Sequence, residues 1–316
     1  IQILAESNQA ISYLITLYLR EGDWIVAEEP IVPDNFSTFY NRGINIATVP
    51  MEEDGMRMDM LEDAIKKYKP KFIYTQPNFH NPTGITMSLK KRKTLLQLAN
   101  VYNVPVIEED YQQEFSYTER TLPSLYALDD NKLVIYVYSF TLIFPYMMKL
   151  GYAVGPPDFI DMLGYALCVD ETIVSGIGQY FLNEYIDSGQ YDQHVQVVRR
   201  EYSARLDLLC SELDKIAEKG ITYHKPSGGL LLWCTLSDDI NERDLCRLAE
   251  EKGVLIMPGW VFYENSNRKK GHLRLCFSNV TKDEIRRGVA LLGEALVECR
   301  QQKTAKLKGR RYEQMD

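Results

Sequence analysis

Short apolar runs alternate with amphipathic helical stretches over the first half of the chain, and this alternation restricts the fold more than any other feature. The apolar residues of 11–19 recur at i, i+3, i+4, i+7 and i+8, which is typical of a helix with one buried face. Ser7 stands where that helix would have its N-cap. Further helices are predicted at 58–68 and 89–102, and short buried strands at 24–27, 44–49, 72–75, 104–108 and 133–138. Strands that alternate with helices predict an α/β domain with a mostly parallel central sheet.

The pattern changes after Pro156 and Pro157, where helices begin to dominate. A long helix is predicted at 191–216. Two strands are predicted after it at 230–234 and 272–277, with helices at 242–252 and 282–299. We therefore predict a large domain at 1–189, followed at 190–316 by a linker helix and a smaller α+β domain. Because the chain starts directly with an apolar strand end, we expect it to be truncated at its N terminus.

Composition excludes several classes of protein. The 316 residues are 45% hydrophobic and 25% charged, as in ordinary globular proteins, and no apolar run reaches the roughly 18–20 residues of a membrane span. A net charge of −8 argues against nucleic-acid binding by this stretch, and the basic tail 303–311 is more simply a solvated helix end. The six cysteines are scattered without metal-ligand spacing. We therefore expect a cytoplasmic protein with no metal site, no membrane contact and no nucleic-acid partner.

Four groups of polar residues could carry chemistry, and each has a plain structural alternative. Asn81 begins an Asn-Pro-Thr-Gly sequence that could be an ordinary turn. The acids at 108–110 end a predicted strand, where they could simply be solvated. Ser7 and Asn8 begin the first helix, whose free N–H groups attract anions. Arg274 lies on an otherwise apolar strand, where an unpaired charge is costly.

In order and spacing, the motifs around these residues resemble those of class I/II aminotransferases. Those enzymes have the fold-type-I architecture and use pyridoxal 5′-phosphate (PLP), and the likeness is greatest to the aminotransferase-like domains of MocR-type regulators of the GntR family. The motifs are ESNQA (6–10), EEPIVP (28–33), QPNFHNPTG (76–84), IEEDYQQEFSY (107–117), SFTLIFPYMMKLGY (139–152), PSGGL (226–230) and HLRLCFS (272–278). The resemblance runs from about residue 3 to residue 295. It implies a homodimer that exchanges an amino group between an amino acid and a 2-oxo acid.

The resemblance assigns the residues around the cofactor ring. The family's asparagine donates a hydrogen bond to the phenolic oxygen of PLP, and that position is Asn81. An acid two residues before a tyrosine pairs with the pyridinium nitrogen, which lets the ring act as an electron sink. Because positions i and i+2 share a face on an extended segment, the acid should be Glu109 rather than Asp110, and Tyr111 should contact the phenolic oxygen.

The resemblance also assigns the phosphate and substrate contacts. Ser7, Asn8, Ser139 and Lys149 fall on the phosphate contacts, with Lys149 in place of the usual arginine fork. Arg274 falls on the arginine that clamps the α-carboxylate of the amino acid, for which a guanidinium group is well shaped.

Besides Lys149, four positions depart from the family pattern. Glu6 replaces a glycine beside the phosphate, Val32 replaces a tyrosine near the cofactor, Glu109 replaces an aspartate, and Leu142 occupies the position of the Schiff-base lysine. Three explanations of Leu142 stay open. The chain could be a non-catalytic relative, one residue could be absent from the sequence beside position 142, or Lys149 could have taken over the role.

Two functions from different classes follow from these observations. The first is a PLP-dependent aminotransferase, and the second is an inactive domain that senses PLP or an amino acid for a GntR/MocR-type transcription regulator. A PLP lyase or racemase would have the same fold. The sequence does not identify the amino acid that is used.

Overall fold

A mixed sheet of eight strands forms the centre of the first of two compact units. The computed structural model describes residues 1–118, 121–144, 148–172, 174–263 and 271–313, without the side chains of 34–36 and 304–313. The first unit comprises Ile1–Asn81, Ile85–Arg199 and Ser227–Gly229, and the second comprises Pro82–Gly84, Arg200–Pro226 and the described chain from Leu230 onward. The main boundary between the two units therefore lies after Arg199, within the long predicted helix, whereas the sequence placed it after position 189.

The sheet of the first unit runs in the order β1-β8-β7-β6-β5-β2-β3-β4. Neighbouring strands from β7 to β3 are parallel, whereas β1, β8 and β4 pair antiparallel at the two edges. The strands are β1 (Gln2–Leu4), β2 (Trp24–Glu29), β3 (Asn45–Glu52), β4 (Gly55–Met56), β5 (Phe72–Thr75), β6 (Val106–Asp110), β7 (Val134–Ser139) and β8 (Gly151–Val154). The predicted α/β fold class is confirmed, and its sheet is mixed because the edge strands are antiparallel.

Helices lie on both faces of this sheet because its strands are apolar on both faces. Ile107 packs into a core with α1 and α6, whereas its neighbour Val106 packs into a second core with α3 and α4. The helices are α1 (Ser7–Tyr18), α2 (Pro33–Tyr40), α3 (Met58–Tyr68), α4 (Leu89–Tyr102), α5 (Leu125–Leu128), α6 (Pro157–Val169), α7 (Gly176–Asp187) and α8 (Gln190–Asp214). Such double coverage is typical of parallel sheets.

The start of α1 differs from the prediction by one residue. Glu6 is the N-cap, with extended backbone angles (φ −167°, ψ 169°) and no side-chain capping bond, and Ser7 is already helical. The prediction that Ser7 caps the helix is therefore wrong. Its backbone N–H belongs to the first turn, where N–H groups have no acceptor within the helix.

The second unit contains a four-stranded antiparallel sheet in the order β11-β12-β10-β9. Its elements are β9 (Ile221–Tyr223), β10 (Leu231–Leu236), α9 (Glu242–Glu251), β11 (Met257–Pro258), β12 (His272–Cys276) and α10 (Lys282–Glu313). The basic tail 303–311 lies in α10, and its side chains from 304 onward are outside the described residues. In the described ranges, no helix has the length and apolar character needed to cross a membrane.

Candidate active site

A cavity of about 180 Å³ lies where β5, β6 and β7 end and α1 begins. In open α/β sheets, ligands bind at the carboxyl ends of the parallel strands. Eleven of the described residues line the cavity: Glu6, Ser7, Asn8, Val32, Gln76, Asn81, Glu109, Tyr111, Ser139, Thr141 and Leu142. The structure thus brings six of the eight predicted site residues together within the first unit. The other two, Lys149 and Arg274, are not among these residues.

Glu109 is buried at the floor of the cavity, and both of its side-chain hydrogen bonds go to one carboxylate oxygen. Its Oε2 accepts hydrogen bonds from the Tyr74 hydroxyl and from Gln76 Nε2, the latter at 2.6 Å. Within the described part of the chain, its Oε1 makes no hydrogen bond. Glu109 therefore has one carboxylate oxygen available to a donor in the cavity, as a partner of a pyridinium N–H requires.

Asn81 and Tyr111 form the next part of the wall. Asn81 Nδ2 donates to the Tyr111 hydroxyl at 3.0 Å, and its backbone N–H donates to Gln76 Oε1 at 3.0 Å. Gln76 therefore links Asn81 to Glu109 through its two amide atoms. The two predicted contacts of the phenolic oxygen lie within hydrogen-bonding distance of each other.

Gln76 and Tyr74 are site residues that the sequence analysis missed. They precede the Asn-Pro-Thr-Gly sequence and share one face of an extended segment, as positions two apart do. Their spacing of two residues could have indicated a shared role. In the structure, Gln76 Nε2 donates to the Tyr74 hydroxyl, and Gln76 Oε1 accepts from the Asn81 N–H. Buried Glu28 fixes this segment, since its Oε1 accepts from Thr75 Oγ1 at 2.6 Å and its Oε2 from the Gln76 N–H at 2.9 Å.

The Glu28 carboxyl also faces a buried histidine. His80 Nε2 lies 3.6 Å from Glu28 Oε2. Burial lowers the pKa of His80 to about 3 and raises the pKa of Glu28 to about 7. The imidazole is therefore neutral near pH 7, and this contact is not a fully charged ion pair.

Hydroxyl groups and a helix N-terminus form the opposite end of the cavity. Ser139 and Thr141 hydroxyls lie 2.9 Å apart, and the Thr141 N–H donates to Ser139 Oγ at 3.3 Å. Ser7 and Asn8 belong to the first turn of α1, whose N–H groups and partial positive charge suit an anion. Glu6 brings a carboxylate to this same end.

Leu142 lines the cavity, whereas Lys149 does not. The Leu142 side chain is 39% exposed and stands beside Ser139 and Thr141 in the cavity wall. Lys149 is exposed and has a left-handed backbone (φ 37°). Its predicted contact with a phosphate stays a prediction, as does its possible replacement of the missing lysine. Pro145, whose spacing bears on a missing residue, is outside the described residues.

Asp110 points to the other face of the sheet, as its position beside Glu109 requires. Its Oδ2 accepts from Asn78 Nδ2 at 2.7 Å and from the Tyr136 hydroxyl at 3.3 Å. Burial, with a smaller contribution from the Glu108 carboxyl, raises the pKa of Asp110 to about 7. This placement agrees with the choice of Glu109 over Asp110 as the residue that faces the cavity.

Arg274 lies on β12 in the second unit. Its guanidinium carbon is 5.0 Å from the centre of the Phe262 ring, a distance at which a cation is attracted to an aromatic face. Its cross-strand neighbours are Trp233 on β10 and Met257 on β11. The strand also carries His272, so the expectation of an otherwise apolar strand holds for Leu273, Leu275 and Cys276 only.

Comparison with known proteins identifies the family. The family model of class I and II aminotransferases matches residues 1–292. The chain belongs to the class I and II aminotransferases. Aromatic-amino-acid aminotransferase 1 of Thermococcus litoralis is 29% identical over 297 residues, which are 92% of this chain and 71% of that protein.

A solved structure in the family carries a cofactor derivative. LysN, the alpha-aminoadipate aminotransferase of Thermus thermophilus, was crystallised with N-(5′-phosphopyridoxyl)-L-leucine. It matches with a TM-score of 0.88 at 30% identity, over 94% of this chain and 77% of that chain. The predicted fold-type-I family and its cofactor, PLP, are thereby confirmed.

Transcription regulators are also similar to this chain. YisV of Bacillus subtilis, an uncharacterised HTH-type regulator, is 26% identical over 294 residues, which are 93% of this chain and 60% of that protein. The predicted likeness to such regulators is confirmed. The aminotransferase relatives nevertheless favour an aminotransferase function over the sensing-domain alternative.

The cavity fits the ring of PLP better than it fits the rest of the molecule. Glu109, Asn81 and Tyr111 offer an acceptor and donors where a pyridine ring with a phenolic oxygen needs them. Among the described residues, those that line the cavity include no lysine or arginine. Leu142 supplies no amine for a covalent bond.

Proposed function

We propose that this chain is an aminotransferase whose cavity holds PLP through non-covalent contacts, and that Leu142 limits its rate. The observation that carries the proposal is the convergence of Asn81, Glu109, Tyr111 and Ser139 on one cavity at the ends of three parallel strands. When bound, PLP supplies an electron sink for reactions at the α-carbon of an amino acid.

The residues of the chain have separate tasks in this proposal. Glu109 holds the proton of the pyridine nitrogen at its Oε1, while Tyr74 and Gln76 keep the carboxylate in place. Asn81 and Tyr111 orient the ring through its phenolic oxygen. Ser7, Asn8 and Ser139 donate hydrogen bonds to the phosphate.

Arg274 is the proposed clamp for the α-carboxylate of the substrate, which we take to be an amino acid and, in the reverse direction, a 2-oxo acid. A planar guanidinium group binds a carboxylate through two parallel hydrogen bonds. The contact with Phe262 supports the orientation of that group.

Leu142 determines how fast such a site can work. A lysine amine beside the cofactor can move the α-proton as a general base, and loss of one member of a catalytic unit typically costs several orders of magnitude in rate. No lysine is found among the described residues that line the cavity. We therefore expect ligand binding with very slow turnover.

We also propose that the chain forms a homodimer. Large apolar side chains are exposed on α6 and α7, among them Tyr165 (65%), Ile177 (87%) and Tyr180 (71%). An apolar face of this kind marks an interaction surface, and cyclic dimers are the commonest assembly. Sedimentation should give a dimer that Tyr180→Glu weakens and Val101→Glu, exposed on α4, does not. A monomeric wild type would refute the dimer.

A cytoplasmic location is proposed from the cysteines. All six are described, and none forms a disulfide. Free thiols are typical of reducing compartments.

The binding proposal is tested by titration with pyridoxamine phosphate, which carries its own amine and forms no covalent bond with lysines. Wild type should bind it, and Asn81→Ala should weaken binding about tenfold, because one hydrogen bond contributes roughly 1–1.5 kcal/mol. Asn100→Ala, an exposed asparagine on α4, is the matched control and should change nothing. Equal affinity in all three proteins would refute the assigned cavity.

A further inference from the structure

The Ser227–Gly229 segment belongs to the first unit, although the chain on either side of it belongs to the second. Its backbone pairs with the residues that follow β6. Gly228 forms an antiparallel bridge with Ser116. The Gly229 N–H donates to the Phe115 carbonyl at 3.0 Å. The segment is therefore fixed by backbone hydrogen bonds to the unit that contains the cavity.

Both glycines of the segment lie against Phe79, a buried residue two positions before Asn81. A Cβ atom on Gly228 would overlap the Phe79 ring, and one on Gly229 would lie 2.8 Å from Phe79 Cβ. Carbon atoms in favourable contact are about 3.5–4.0 Å apart. Neither position therefore admits a side chain unless Phe79 moves.

Phe79 has a backbone conformation that needs support from its surroundings. Its φ angle is +49°, in the left-handed region that bulky residues rarely adopt. Such conformations persist only where the surrounding structure fixes them, and they are frequent at functional sites. Here Gln112 Nε2 donates to the Phe79 carbonyl at 2.9 Å, and the two glycines lie against the side chain. Residue 79 is thus held through its carbonyl and through its side chain.

The backbone of residue 79 leads directly to Asn81. The Asn81 N–H donates to Gln76 Oε1 at 3.0 Å, and its Nδ2 donates to the Tyr111 hydroxyl at 3.0 Å. Such hydrogen bonds need a donor–acceptor distance of about 2.7–3.2 Å. Because a single residue separates Phe79 from Asn81, a shift of the backbone at residue 79 would disturb both bonds.

We propose that the Ser227–Gly229 segment is a positioning element of the cofactor site. It holds Phe79 in its left-handed conformation and thereby places Asn81 in the cavity. The inference rests on the proposed function, because it takes Asn81 as a contact of the cofactor ring. The two glycines touch neither the ring nor Asn81 in this account, and they act through Phe79.

The test is a titration of pyridoxamine phosphate with wild type, Gly229→Ala, Asn81→Ala and the double variant. Gly229→Ala should weaken binding about tenfold, as Asn81→Ala does, because the added methyl group meets a Cβ atom that moves only with the backbone of residue 79. The double variant should also lose about tenfold, since both changes remove the same contact. Independent changes would multiply to about a hundredfold.

Gly22→Ala is the matched control. Gly22 has a φ angle of +88°, close to the +78° of Gly229, so alanine is strained at both positions. Among the described residues, an added Cβ atom at Gly22 would have no neighbour within 4 Å. Gly22→Ala should therefore lower the melting temperature and leave the affinity for pyridoxamine phosphate unchanged.

Phe79→Gly is the second variant, and it decides the question if Gly229→Ala does not fold. It removes the ring, adds no atom and permits the left-handed conformation without strain. It should weaken binding several-fold, because residue 79 is no longer held through a side chain. Its loss should not multiply with that of Asn81→Ala.

Two results would overturn the inference while the cofactor site stands. One is unchanged affinity in a folded Gly229→Ala, and the other is a loss of about a hundredfold in its combination with Asn81→Ala. If Gly229→Ala does not fold, the corresponding results for Phe79→Gly, namely unchanged affinity or multiplied losses, overturn it. If Asn81→Ala binds pyridoxamine phosphate as tightly as wild type, both the inference and the proposed function are wrong.

Discussion

Replacing Asp110 by asparagine should make the protein less sensitive to alkaline conditions. Asp110 is buried behind the cavity, and burial raises its pKa to about 7, with the neighbouring Glu108 carboxyl as a second cause. The native state therefore keeps a proton that the unfolded chain releases near pH 4. Because the native state binds more protons between about pH 4 and pH 7, the free energy of unfolding falls as pH rises through this window.

The magnitude follows from the shift of about three pKa units. Each unit is worth about 1.4 kcal/mol, so Asp110 alone should lower the free energy of unfolding by on the order of 3 kcal/mol between pH 5 and pH 8. Asp110→Asn removes this titration and preserves the shape of the side chain. An amide oxygen can still accept from Asn78 and from Tyr136, which now donate to Oδ2.

The assay is urea denaturation of wild type and Asp110→Asn at pH 5 and pH 8. From pH 5 to pH 8, the free energy of unfolding of Asp110→Asn should rise relative to that of wild type by on the order of 3 kcal/mol. Asp63→Asn, an exposed carboxylate on α3, should show no such shift. His80, whose pKa burial lowers to about 3, titrates in the opposite direction in every protein and cancels in the comparison. Parallel pH profiles for wild type and Asp110→Asn would refute the argument.

Two further predictions concern the ligand contacts. Arg274→Lys should weaken amino-acid binding by roughly 1–3 kcal/mol in a titration and leave pyridoxamine phosphate affinity unchanged, because lysine keeps the charge but loses the planar fork. Equal losses for both ligands, or a lower melting temperature with intact binding, would mean that Arg274 is structural. Tyr74→Phe should weaken pyridoxamine phosphate binding several-fold, since Glu109 loses a donor that fixes it. Unchanged affinity would show that Gln76 alone positions the carboxylate.

Most of the first unit could be predicted from the sequence because its elements have strong local patterns. The predicted bounds of α3, β5 and α4 coincide with the observed ones. Helix α2 was missed, because its residues 33–40 lack a clear apolar period. The strand β1 was expected from the apolar start of the chain, whereas β4 and β8 were missed because two and four residues show no period.

Site residues that belong to a sequence motif could be predicted. Contacts that arise only from tertiary packing could not. Asn81, Tyr111 and Ser139 follow from motifs, and the choice of Glu109 follows from the alternation of side chains along a strand. The hydrogen bond between Gln76 and Glu109 joins residues that are 33 positions apart in the chain, which no local pattern reveals.

The central claim is that position 142 is the anchor position of a PLP site, and covalent labelling tests it most directly. Leu142→Lys, wild type and Val101→Lys, which adds an exposed lysine on α4, are incubated with PLP, reduced with borohydride and mapped by peptide mass spectrometry. We predict stoichiometric cofactor at position 142 of Leu142→Lys, with no more than surface labelling at position 101 of Val101→Lys and at Lys149 of the wild type. Preferential labelling of Lys149 in the wild type, or no labelling at position 142 of a folded Leu142→Lys, would contradict the account.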